Sequence, residues 1–111
     1  MHEKHQVERL VQEALQKAEE MNLKKVKAVN ILIGEALGFD PMSINLYFET
    51  FTEGTVLEGA KLNFEWQKAE LFCPTCKQNF IKEKSKIDCP KCNEQGLPTD
   101  QGKDFKIISL Q

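Results

Sequence analysis

The 111-residue chain has no cysteine outside residues 73 to 92, only two histidines, both within the first five residues, and a single tryptophan and tyrosine. Each scarcity removes a class of function. No cysteine is left over as a nucleophile, no internal histidine can be oriented as a general base, and neither a glycine-rich phosphate loop nor a GxSxG turn is present. The chain is therefore expected not to be an enzyme, with no catalytic residue. Long apolar runs are also missing. The longest, Ala28 to Ile33, is broken by Asn30, whereas a membrane helix needs about 20 apolar residues. The start, Met1-His2-Glu3-Lys4-His5-Gln6, is polar and carries no apolar stretch of secretory type. A cytoplasmic chain with no membrane partner is expected. Neither sign of charge dominates: 15 basic and 17 acidic residues leave a net charge of -2, so nothing global draws it to nucleic acid or anionic lipid.

What is present is concentrated. The cysteines form two identical pairs, Cys73-Pro74-Thr75-Cys76 and Cys89-Pro90-Lys91-Cys92, separated by the twelve residues Lys77 to Asp88. Two closely spaced thiolates grip one side of a tetrahedral ion, and a second pair returned by a hairpin closes a four-sulfur shell, the usual structural Zn(II) site. Two disulfides are disfavoured in a cytosolic chain, and a thioredoxin-like redox site needs one CxxC at a helix start. An iron site of rubredoxin type uses the same four ligands and stays open. Between Leu71 and Cys92, Lys77, Lys82, Lys84, Lys86 and Lys91 face only Glu83 and Asp88, a local charge of +3 on a body of -5. With only Phe72, Phe80, Ile81 and Ile87 to bury, this ribbon is expected to fold on its metal.

The body reads as helix, strand, helix, strand. Val7, Leu10, Val11, Ala14, Leu15, Ala18 and Met21 recur at helical spacing, with Asn22 as terminator. Val26 to Ile33 is rich in β-branched residues and predicts a strand closed by Gly34. Asp40-Pro41 has the form of an N-cap and first helical residue; Ile44, Tyr47, Phe48 and Phe51 then repeat at helical spacing up to Glu53-Gly54. Leu62, Phe64 and Trp66 alternate with polar residues in a second strand, and these aromatics are expected in the core. Phe105 to Leu110 predicts a last strand paired with the body's own sheet. The expected fold is α+β: two helices on a small mixed three-stranded sheet with an inserted zinc-ribbon subdomain. Residues 1–70 with 103–111 would make the α+β domain, and 71–102 the zinc ribbon and its return linker.

The N-terminus carries the remaining chemistry. A terminal amine, neighbouring backbone nitrogens and a second-position imidazole can close fused chelate rings around a metal preferring tetragonal nitrogen ligands, such as Ni(II) or Cu(II). The Met1-His2-Glu3 start, the amphipathic helix, the Ile33-Gly34-Glu35 strand end, the Phe48-Glu49 helix, the paired CPxC with twelve residues between, and the short last strand together resemble the HypA family of hydrogenase-maturation nickel metallochaperones over essentially the whole length. The resemblance implies a nickel site with His2 as the indispensable ligand. Backbone nitrogens, including those of His2 and Glu3, would complete much of it, and the Met1 amine is a further candidate. Asp40 falls where some members hold a carboxylate near nickel, although its cap position gives it a structural role as well. The resemblance also implies structural zinc on Cys73, Cys76, Cys89 and Cys92. It implies delivery of nickel to the [NiFe]-hydrogenase large subunit with a GTPase maturation partner, and in some organisms toward a urease maturation factor. Two residues depart from the family pattern: His5 stands where serine is common, and Lys4 where an apolar or aromatic residue is usual.

A second reading, a zinc-ribbon module binding nucleic acid or transcription machinery, rests on the ribbon's lysines. The acidic body and the lack of aromatics interleaved with Lys82, Lys84 and Lys86 weigh against it, so no nucleic-acid partner is expected.

Overall fold

The computed structural model describes residues 2–83 and 86–111, and for His2 the main chain alone. Helix α1 spans His2–Glu20. Val7, Leu10, Val11, Ala14 and Ala18 are buried along one stripe. Arg9 bonds Gln6 and Glu13 on its own helix and reaches the carbonyl oxygen of Phe105 at 3.2 Å. The helix stops at Asn22, whose φ of 56° is left-handed. Its N–H bonds the Glu19 carbonyl at 3.0 Å while that of Leu23 bonds Ala18 at 2.9 Å, the paired bonds of a Schellman cap. Met21 lies beyond the last helical residue and is exposed, contrary to its place in the predicted stripe.

Strand β1, Ala28–Gly34, starts two residues later than its β-branched run suggests, because the Val26 N–H is given to the Val56 carbonyl instead of to a neighbouring strand. A short 3-10 turn, Glu35–Leu37, then leads to α2, Pro41–Thr52. The remaining strands are β2 (Lys61–Gln67), β3 (Glu70–Cys73), β4 (Gln78–Ile81), β5 (Leu97–Pro98) and β6 (Phe105–Leu110). They form two three-stranded sheets, ordered β2-β1-β6 and β4-β3-β5.

The first sheet is mixed. Lys61 donates to the Lys27 carbonyl at 2.9 Å and the Asn63 side chain to that of Asn30 at 3.0 Å, so contacts advance in the same direction along β1 and β2. Ala28 and Gln111 exchange both main-chain bonds while the Gly34 N–H reaches the Asp104 carbonyl at 2.7 Å, so β6 runs antiparallel. The parallel pair is joined by a crossover holding α2. The last strand pairs with the body's own sheet and the cysteine region enters as an insertion, the α+β architecture expected from the sequence.

Two compact units can be separated along the chain: one takes in residues up to Leu32 with Phe39–Glu65 and Phe105–Gln111, the other Ile33–Gly38 with Trp66–Asp104. In the first, α1 packs on α2 and on β6. Its core is Val7, Leu10, Val11, Val29, Ile31, Ile44, Phe48 and Leu57. In the second, the most buried side chains include Cys73 and Cys89.

Several expected core residues lie elsewhere. α2 buries the stripe Ile44, Phe48, Thr52, which leaves Tyr47 and Phe51 on its flank, half-buried and stacked at 6.1 Å. Trp66, on the edge strand β2, is 46% exposed. In the ribbon, Ile81 and Ile87 are exposed as well. The hydrogen-bonded row Asn63, Asn30, Ser109 crosses all three strands of the first sheet.

Candidate metal centres

The four cysteines are presented by two copies of one turn. Cys73 ends β3 and its carbonyl accepts from the Lys77 N–H at 2.7 Å, while the Cys76 N–H points at the Cys73 Sγ at 3.3 Å. In the second copy the Cys89 carbonyl accepts from the Asn93 N–H at 2.8 Å. The residue after each CPxC is left-handed, Lys77 at φ 55° and Asn93 at φ 67°. The sequence reading passed over both positions, although a residue directly behind a CPxC turn that closes back on its first cysteine is the available signal.

The turns converge. Cys73 and Cys92 Sγ atoms are 3.4 Å apart, Cys76 and Cys89 4.0 Å, and all four sulfurs lie within 4.8 Å of one another. A tetrahedral zinc with Zn–S bonds of about 2.3 Å separates its sulfurs by about 3.8 Å, so the cluster has the size of a closed tetrathiolate shell. Proton affinities within it are far apart. Backbone N–H groups of Cys92 and Lys91 directed at the Cys89 sulfur bring that thiol down to about 7. The Cys92 thiol beside Cys76, followed by desolvation and the sulfurs of Cys73 and Cys89, pushes Cys76 up to about 12. Four crowded sulfurs cannot all ionise without a cation among them, and a bound dication supplies that charge. A Zn(II) held by four thiolates would carry -2, opposite in sign to the ribbon's surplus of lysines; Lys84 lies outside the described residues.

At the other candidate centre the structure brings together Glu3 and Asp40. Glu3 Oε2 accepts from the Asp40 backbone N–H at 2.5 Å. The Asp40 carboxylate is committed to capping α2: Oδ1 accepts from the Met42 N–H at 3.1 Å and Oδ2 from the Ser43 hydroxyl at 3.3 Å, with Pro41 at the first helical position. Sequence reasoning anticipated the cap and missed the Glu3 contact, which joins residues 37 apart. Lys4 and His5 are exposed. The Met1 amine and the His2 imidazole lie outside the described residues. Because α1 begins at His2, the N–H groups of its first turn have no carbonyl acceptor within the helix.

Fold and cluster define a small two-part metal-binding protein, an α+β body carrying a four-cysteine ribbon, and among the described residues no helix is long and apolar enough to cross a membrane. The chain belongs to the HypA family, described as hydrogenase/urease nickel incorporation metallochaperones, whose family model matches residues 1–111. It is 38% identical over 112 residues to the hydrogenase maturation factor HypA of Caldanaerobacter subterraneus subsp. tengcongensis, covering 100% of this chain and 98% of that one. It is 34% identical over 76 residues to the HypA of Archaeoglobus fulgidus, 68% of this chain and 69% of the relative. Among solved structures it is similar to the Ni metallochaperone HypA from Helicobacter pylori, with a TM-score of 0.66, 27% identity and coverage of 98% and 95% of the two chains. The family resemblance drawn from the sequence is borne out.

Proposed function

We propose that this chain binds Ni(II) at its N-terminus and hands it to the large subunit of a [NiFe]-hydrogenase, acting with a GTPase maturation partner, and in hosts that make urease also toward a urease maturation factor. Membership of a nickel-incorporation family over the full 111 residues carries the reading. Here the His2 imidazole and the amide nitrogens of His2 and Glu3 are the ligands, with the Met1 amine as a further one. The helix start supports this set, since first-turn amides are not engaged by helical carbonyls. Asp40 is reserved for capping α2, and His5 and Lys4 stay in solvent. Cys73, Cys76, Cys89 and Cys92 hold a structural Zn(II), whose chemistry is to fix the ribbon's shape; the ribbon of residues 71–102 and the nickel-binding body work as separate modules.

A carrier has to exclude competing ligands and still release its cargo. A planar nitrogen site at a chain end meets both demands, because an acceptor's ligands can approach from either open side and displace the donors one at a time. The imidazole, the amides and the amine all bind only after losing protons, so nickel affinity falls steeply as pH drops from about 8 to about 6.

Titration of zinc-loaded, untagged protein with Ni(II), beside His2→Ala and a variant with one residue added before Met1, tests the reading. One nickel with a square-planar absorption spectrum, abolished by His2→Ala, is expected. Equal binding by wild type and His2→Ala would sink it, and the extended variant reports whether the amine is a ligand.

A further inference from the structure

A sheet edge exposes main-chain N–H and C=O groups that can template another strand, and three of the four edges here are blunted. β5 is two residues long and includes Pro98, β4 has four residues, and β2 carries the exposed charges of Lys61 and Glu65. β6 differs. Its six residues, Phe105 to Leu110, include a single charge, that of Lys106, and no proline.

Pairing with β1 fixes which groups of β6 face outward. Gln111 turns both its N–H and its C=O to Ala28, and the Asn30 side chain bonds the Ser109 hydroxyl at 2.8 Å in the same register. Alternation along an antiparallel strand then directs the main-chain groups of Ile108 and Leu110 away from β1. Arg9 occupies one end of the strand by bonding the Phe105 carbonyl at 3.2 Å. Among the described residues nothing is bonded to the outward groups of Ile108 and Leu110.

The side chains beside this edge are apolar and share one surface. Ile108 is 50% exposed, and Met21, just past the end of α1, is 55% exposed. With Lys17, Glu20, Ser109 and Leu110 they line a groove of about 250 Å³. Lys17 and Glu20 are exposed charges of opposite sign, and neither is ion-paired among the described residues.

These features select the occupant. Outward main-chain groups at alternate positions are satisfied by an extended segment laid along the edge. A surface holding one cation and one anion is matched by a second copy of itself, because a two-fold rotation brings each Lys17 toward the other copy's Glu20. With the axis at Ile108, that residue meets its own counterpart and Lys106 lies opposite Leu110, so no like charges face each other across the strands.

We infer that two copies of this chain pair through the outer edge of β6, antiparallel about Ile108, joining their three-stranded sheets into one of six strands with Met21 and Ile108 closing over the seam. The 19 residues of α1 put its first turn about 27 Å from the end that lines the groove, so both N-termini stay clear of the seam whatever they bind.

Sedimentation equilibrium of the zinc-loaded, untagged protein, from micromolar to submillimolar concentration, tests the pairing beside Ile108→Lys, Lys17→Glu, Glu20→Lys and the double exchange Lys17→Glu/Glu20→Lys, all matched for zinc content and circular dichroism. A mass of two chains is expected for wild type. Ile108→Lys sets two ammonium groups face to face and should weaken association at least tenfold. Each single charge exchange should weaken it severalfold, and the double exchange should restore it. Amide exchange of wild type followed by NMR supplies the second readout: the N–H groups of Ile108 and Leu110 should exchange slowly only at concentrations where the dimer forms, while that of Ser109, directed at β1, stays slow throughout. A monomer at every concentration overturns the pairing. So does a dimer that Ile108→Lys leaves intact, or one in which the Ile108 and Leu110 amides still exchange freely.

Discussion

The carboxylate of Glu3 and the backbone N–H of Asp40, 37 residues apart, meet at 2.5 Å and join the first turn of α1 to the cap of α2. A charge-assisted bond of this length contributes more than a neutral one, and the half-exposed position of Glu3 reduces it through solvent screening. Glu3→Ala should cost about 1 kcal/mol by urea denaturation, part of it from losing an acidic residue at a helix N-terminus. Glu3→Gln keeps an acceptor and should recover about half. Equal midpoints for all three proteins would mean that the contact contributes nothing to folding.

Asp40 separates two roles that the sequence left together. Asp40→Ala removes the α2 cap and should cost about 1 kcal/mol, while Asp40→Ser retains a capping oxygen and should cost a few tenths. If Asp40→Ser also leaves nickel affinity within about twofold, as expected for a side chain already bonded to Met42 and Ser43, the residue is a cap and not a ligand. A tenfold loss in Asp40→Ser with stability preserved would make it a ligand.

These two residues also mark where sequence reading succeeded and where it stopped. Asp40-Pro41 was legible because capping is local: the oxygen, the recipient N–H and the proline fall within three positions. The six residues of β6 and the CPxC pairs were legible for the same reason, each being a short pattern with its own period. The Glu3 contact was not, since it depends on how two helix starts meet. Trp66 read as core because alternation reports which side of a strand is apolar, and not whether anything covers that side. Lys77 and Asn93 were overlooked because neither residue type advertises a left-handed backbone as glycine would.

Gly34 shows the same limit in a backbone contact. A Cβ at this position would sit 1.9 Å from the Gly102 carbonyl oxygen, a main-chain atom fixed by accepting the Ala36 N–H at 2.8 Å. Neither side can yield cheaply, so Gly34→Ala should lower stability by about 3 kcal/mol, near the upper range for a single change, and disorder the junction with Asp104. Thermal unfolding followed by circular dichroism, with zinc content measured in parallel, checks this. An unchanged melting temperature would contradict the close approach.

Zinc affinity should depend on pH in two regimes. Zinc has to displace the Cys76 proton at every pH below about 12, so affinity falls with pH throughout the working range. Cys89, drawn down to about 7 by the N–H groups of Cys92 and Lys91, is already a thiolate above that pH and adds a further competing proton, beyond those of Cys76 and the likewise raised Cys92, only below it. The plot of log affinity against pH should steepen by about one further unit of slope below pH 7. Competition with a chromophoric chelator from pH 8 to about 5.5 measures it; a single slope across that interval would show that Cys89 has no special ease of ionisation.

The two cysteine turns predict an asymmetric response to glycine. Each closes through a left-handed residue whose N–H returns to the carbonyl of the first cysteine, and that backbone costs an ordinary side chain about 1 kcal/mol or more while costing asparagine less. Lys77→Gly should therefore tighten zinc binding severalfold, Asn93→Gly by a smaller factor, and Lys77→Val should weaken it because a β-branched residue resists this conformation most. Replacing Lys77 also removes a positive charge from beside a cluster of net charge -2, which works against the gain. Lys77→Asn, equally uncharged, isolates the backbone effect: glycine should exceed asparagine at position 77 by no more than it does at position 93. If glycine weakened zinc binding at both positions, the left-handed turns would not be the strained element of the site.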